Sequence, residues 1–111
     1  MEPDALLLEQ LVRQIVDAVH PLRIILFGSA ARGDMSAHSD LDVLVVMPDG
    51  THQLNAMGEL YRKTASLPRP VDILVATPAV LEKNRHTIGL IYKTILAEGR
   101  DVYAAGETLK V

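Results

Sequence analysis

The chain has 111 residues, 49% of them hydrophobic, no cysteine and a formal net charge of −3. That length suits one domain around a single core, and this hydrophobic content excludes a disordered chain. The acidic balance excludes a general nucleic-acid binder, the missing thiols exclude disulfides and thiolate metal sites, and no apolar run reaches membrane-spanning length. With no basic stretch leading an apolar one at the N-terminus, a cytoplasmic protein is expected, with no membrane and no direct nucleic-acid partner.

Pro3 and Asp4 stand where a helix would start. Leu8, Leu11, Val12, Ile15, Val16 and Val19 then recur at helical spacing, with Glu9, Arg13, Gln14 and Asp17 opposite. His20-Pro21 ends this helix, which makes His20 a helix-end residue rather than a ligand. A first strand is expected from Arg23 to Phe27, stopping at Gly28-Ser29. Gly28 can take φ values other residues avoid, and Ser29 adds a hydroxyl at the start of a short helical turn. Together they form a turn able to hold a terminal phosphate, or an ordinary strand-to-helix turn. Arg32 could neutralise a phosphate or tie the loop to Asp34.

Ser39-Asp40-Leu41-Asp42 leads into a second apolar run, Val43 to Met47. Side chains two apart on a strand share a face, so Asp40 and Asp42 look one way and Leu41 the other. Two close anions both ionise comfortably only with a cation between them, and an all-oxygen pair suits Mg²⁺ or Mn²⁺ better than zinc. The plainer reading of Asp-x-Asp alone is a solvated strand end.

Thr51 to Ser66 reads as a helix with Leu54, Met57, Leu60, Tyr61 and Thr64 on its apolar side and His52 exposed in its first turn. A third buried strand, Val71 to Ala76, carries Asp72 near its start. An acid there is costly unless paired, hydrogen-bonded or metal-bound. Thr77-Pro78 opens a further helix through Val80 and Leu81 that breaks near Asn84 to Thr87, leaving His86 in a loop. Ile88, Ile91, Tyr92, Ile95 and Leu96 form a second amphipathic stretch ending at Gly99. Asp101 to Ala104 suits a short strand on a sheet edge. The fourteen residues from Gly28 to Leu41 are too few for a helical crossover, so the first two strands should be antiparallel, while the link through Thr51 to Ser66 can cross over to the third. The expected class is α/β (α+β): a small mixed sheet with helices packed on it.

Gly28-Ser29 followed by Asp40-Leu41-Asp42 resembles the active-site pattern of the DNA-polymerase-β-type nucleotidyltransferase superfamily. The fuller string G-S-A-A-R-G-D-M-S-A-H-S-D-L-D-V-L-V resembles its minimal nucleotidyltransferase (MNT) branch, the small partners of HEPN-domain proteins. The resemblance implies that fold. It also implies that Asp40, Asp42 and Asp72 form a catalytic carboxylate set holding two Mg²⁺ ions (or Mn²⁺), and that Gly28, Ser29, Arg32 and Ser39 bind a nucleoside triphosphate. The implied activity is transfer of AMP from ATP to a hydroxyl, a tyrosine for preference, of a HEPN-type toxin partner. The protein would act as an antitoxin within a hetero-oligomer, because no residues are left here for a second, acceptor-gripping domain. Two alternatives are an antitoxin of this fold that neutralises its partner by binding alone, and a receiver-like phosphoacceptor domain, which would need parallel crossovers throughout.

Overall fold

The structure, a computed structural model, describes residues 5–33, 40–84 and 91–106. Helix α1 (Ala5–Val19) is followed by β1 (Arg23–Phe27), α2 (Gly28–Arg32), β2 (Leu41–Val46), α3 (Gln53–Thr64), β3 (Val71–Ala76), α4 (Pro78–Asn84), α5 (Ile91–Glu98) and β4 (Arg100–Ala104). The strands form one mixed sheet in the order β3-β2-β1-β4. β1 lies antiparallel to both β2 and β4, and β2 runs parallel to β3 through the α3 crossover. The antiparallel first pair, the crossover and the short edge strand are as expected. A receiver-like, all-parallel sheet is excluded, because β1 opposes both of its neighbours.

Alternation along the strands sorts their side chains onto two faces. Ile24, Leu26, Leu41, Val43, Val45 and Ile73 turn to the face covered by α1 and α3, where they meet Leu8, Leu11, Val12 and Ile15 of α1 and Leu60 of α3. Ile25, Leu44, Val46 and Ala76 turn to the other face, which Leu81 of α4 and Ile95 of α5 cover. Because both faces carry helices, β2 is buried almost from end to end. This explains why its sequence is a continuous apolar run rather than an alternating one.

Local signals set the boundaries. His20 closes α1 with a left-handed φ of 50°, its N–H donating to the Val16 carbonyl at 3.0 Å. His52 is the N-cap of α3, and its Nδ1 accepts from the Asn55 N–H at 3.2 Å. Thr77 caps α4, with the Val80 N–H donating to its Oγ1 at 3.3 Å and Pro78 in the first turn.

Three expectations need correction or restriction. Strand β2 begins at Leu41, before the purely apolar run, and ends at Val46 rather than Met47. Leu41 is fully buried and its N–H donates to the Pro70 carbonyl at 3.0 Å, which draws Asp42 into the strand. Leu54 is not on the buried side of α3: it is 73% exposed, because the stripe facing the sheet runs through Ala56, Leu60 and Thr64 at four-residue steps. His86, Ile88 and most of the expected break after Asn84 lie outside the described residues.

Candidate active site

The candidate residues stand in a row at one end of the sheet. Register places Phe27 of β1 opposite Asp42 of β2, and Asp42 opposite Asp72 of β3. Neighbouring strands lie about 4.8 Å apart, so the two carboxylates are held side by side by the ladder itself. Both point to the face covered by α4 and α5, since Leu41 and Val43 on either side of Asp42 point to the other. Asp42 is partly buried, Asp72 is exposed, and Asp40 lies just before β2.

Crowding among these acids changes Asp42. Burial pushes its carboxyl up from 3.8 to about 6, and the charge of Asp72, a hydrogen bond between the two carboxyls and the charge of Asp40 push the same way. The Arg32 guanidinium pulls in the opposite direction without overcoming them. Two carboxyls that hydrogen-bond to each other share a proton, and a cation competes for the same oxygens.

Gly28 opens α2 directly against this pair. Its φ is 69°, in the left-handed region, and a Cβ built on it would run into the Asp42 carboxylate. Glycine is required here on both counts, conformation and space. Ser29 sits partly buried in the first turn of α2 and accepts from the Gly33 N–H through its carbonyl. Gly33 closes the turn at φ 78°. Arg32, in the last turn, is exposed yet close enough to act on Asp42.

The fold therefore brings Gly28, Arg32, Asp40, Asp42 and Asp72 into one neighbourhood, with Ser29 in the adjoining turn. Ser39 lies outside the described residues, as does Asp34. Among the described residues no three His, Cys, Asp or Glu side chains already stand as a metal cage. The donor set nevertheless fits a hard divalent cation. It is all oxygen and anionic, and it contains a carboxyl that burial and its acidic neighbours raise to about 6. Such an ion would offset the burial and the repulsion that raise Asp42.

Sequence reasoning missed what lies beside the row. A cavity of about 240 Å³ between α2 and α5 is lined by Phe27, Gly28, Arg32, Ile91, Thr94, Ile95 and Glu98. Nothing in the linear pattern tied α5 to Gly28, some sixty residues earlier in the chain. The signal that could have done so is the polar pair Thr94 and Glu98, four apart and hence on one side of α5.

A family profile for the nucleotidyltransferase domain matches residues 8–102. No curated protein matches the sequence. Among solved structures, a protein from Sulfolobus solfataricus proposed to be a nucleotidyltransferase superposes with a TM-score of 0.63 at 22% identity, over 93% of this chain and 82% of its own. A toxin–antitoxin structure with AMP-PNP superposes with a TM-score of 0.58 at 22% identity, over 88% of this chain and 74% of the other. At that identity the likeness is one of fold.

Proposed function

Because this chain belongs to the nucleotidyltransferase domain family, we propose that it transfers AMP from ATP to a hydroxyl, a tyrosine for preference, on a HEPN-type toxin partner. The observation that carries the reading is the Gly28–Asp42–Asp72 arrangement. A turn with no room for a side chain abuts two carboxylates locked in register on adjacent parallel strands. Asp40, Asp42 and Asp72 would hold Mg²⁺ or Mn²⁺, which when bound neutralises phosphate charge and polarises the reacting oxygens. Gly28 leaves the backbone open to the β- and γ-phosphates, the Ser29 hydroxyl donates to them, and Arg32 balances their charge. Asp72, exposed at the rim, takes the proton from the acceptor hydroxyl. The acceptor oxygen then bonds to the α-phosphorus while the bond to the bridging oxygen of pyrophosphate breaks.

The partner assignment rests on the MNT resemblance and on the toxin–antitoxin neighbour with AMP-PNP. A toxin ribonuclease held by this domain supplies what one small sheet does not offer, a surface that presents the acceptor. The test is pyrophosphate release from ATP with and without a divalent cation, and with and without the co-expressed partner. Mass spectrometry should find AMP on a partner tyrosine, absent with Asp40→Ala. The competing reading, neutralisation by occlusion alone, is favoured by the exposed apolar side chains Leu54 and Leu6, each 73% accessible. An unmodified yet fully inhibited partner would decide for it.

A further inference from the structure

We propose that Tyr61 is an acceptor built into the chain: without a partner, the domain transfers AMP to its own Tyr61 hydroxyl. The inference rests on the nucleotidyl-transfer reading and adds to it a site of modification on this protein.

Position is the first argument. Tyr61 reaches from α3 to β3, where its Oη accepts from the Ile73 N–H at 2.9 Å. That nitrogen is bonded to the carbonyl carbon of Asp72, so covalent geometry puts the Tyr61 oxygen within roughly 5 Å of the Asp72 Cα. Strand β3 ends the sheet, so among the described residues no further strand separates the phenol from the exposed Asp72 side chain. The carboxylate leans to the face of α4 and α5, while the phenol arrives from the face of α3. The oxygen has only to pass the margin of one strand.

The ring has room for that passage. Tyr61 is 42% exposed. A cavity of about 430 Å³, bordered by Tyr61, Thr64, Leu67, Arg69 and Val71, leaves one side of it without packing. Its hydroxyl proton, the one that must leave, is loosely held: the contact with the Ile73 carbonyl is 3.4 Å, longer than an ordinary O–H···O bond.

Other hydroxyls are worse placed. Thr64 is buried and donates to the Leu60 carbonyl at 2.9 Å. Thr77 follows the opposite end of β3, five residues or roughly 16 Å from Asp72. Tyr103 stands on β4, three strands or roughly 14 Å across the sheet. Tyr92 packs against the cluster that contains Ile25 and Leu44.

In the step itself the Tyr61 proton passes to Asp72 and a bond forms between Oη and the α-phosphorus of ATP. The bond from that phosphorus to its bridging oxygen breaks, and pyrophosphate leaves. The product is a phosphodiester on the tyrosine, and the Ile73 carbonyl loses its donor.

Intact-mass and peptide mass spectrometry of the isolated chain, incubated with ATP and Mg²⁺, tests this. Wild type should gain one AMP, on Tyr61. Tyr61→Phe keeps the ring and loses the oxygen. It should gain none while still modifying a co-expressed partner, and a thermal melt would verify its fold. Because the step is intramolecular, the fraction modified at a fixed time should be unchanged by about tenfold dilution of the protein. AMP on Tyr92, Tyr103 or a threonine instead, equal incorporation by Tyr61→Phe, or a modified fraction that falls in proportion to dilution each overturns the proposal. AMP on the partner, with Tyr61 unmodified in the isolated chain, overturns it too and leaves the transfer reading standing. AMP on neither chain, with no pyrophosphate released, overturns both.

Discussion

The two faces of the sheet are finished differently. On one, α1 and α3 lie over β1, β2 and β3 and close a continuous apolar layer containing Leu11, Val12, Ile15, Leu26, Val43 and Leu60 with almost no exposure. On the other, the shorter α4 and α5 bury only Leu81 and Ile95 against a few strand residues, and the Phe27–Asp42–Asp72 row remains accessible at their margin. The thick face supplies most of the apolar burial, which leaves the thin face able to tolerate an arrangement that opposes folding. Asp42, held beside Asp72 and raised to about 6, is such an arrangement.

The sharpest way to break this division is to neutralise Asp42. Asp42→Asn should lower nucleotidyl transfer by roughly 10²- to 10³-fold or more, as loss of a transition-state ligand does, while the melting temperature stays level or rises. Pyrophosphate release beside a thermal melt reads both, and wild-type turnover by a folded variant would move the site elsewhere. The converse change on the thick face is Leu60→Ala. It removes a fully buried side chain and should cost about 3 kcal/mol of stability, read by urea denaturation.

A pH series sharpens the comparison from the thin side. Asp42 binds its proton more tightly folded than unfolded, so the native state holds the extra proton between about pH 4 and 6. Stability attributable to this group should therefore fall as pH rises through that window and level off above it. Since Asp42 is partly exposed, solvent screening reduces the change to about 1 kcal/mol. Asp42→Asn should remove the slope, and a stability that rises through that window equally in both proteins would show that the carboxyl pair is not strained. The smallest expected effect lies at the end of α1. His20→Gly relieves a left-handed φ of 50° and should raise stability by roughly 0.5–1 kcal/mol.

Much of this was legible because it is local. Strand β1, the stop at Gly28, the Thr77 cap and the shared face of alternate residues follow from neighbours in the chain. The antiparallel first pair followed from a link too short for anything else. What escaped depends on distant partners. Leu54 is apolar and helical, yet only the angle at which α3 meets the sheet decides that Ala56, not Leu54, is covered. The start of β2 depends on Leu41 finding Pro70. Asp72 could be matched to a carboxylate set by resemblance, but its register opposite Asp42, and the contact that forbids a side chain on Gly28, are properties of the assembled ladder. Thr94 and Glu98 offered no clue until α5 was placed over Phe27.

One contact on the far edge of the sheet bears on assembly. The Tyr61 hydroxyl accepts from the Ile73 N–H at 2.9 Å and donates to the Ile73 carbonyl at 3.4 Å, so a side chain occupies the backbone positions at which a further strand would dock on β3. Sheets grow by adding strands to such edges, and a plug midway along a six-residue strand interrupts the required ladder. A neighbouring chain is thereby steered away from extending the sheet next to Asp72. The approach to that carboxylate is kept for side chains rather than for another strand's backbone.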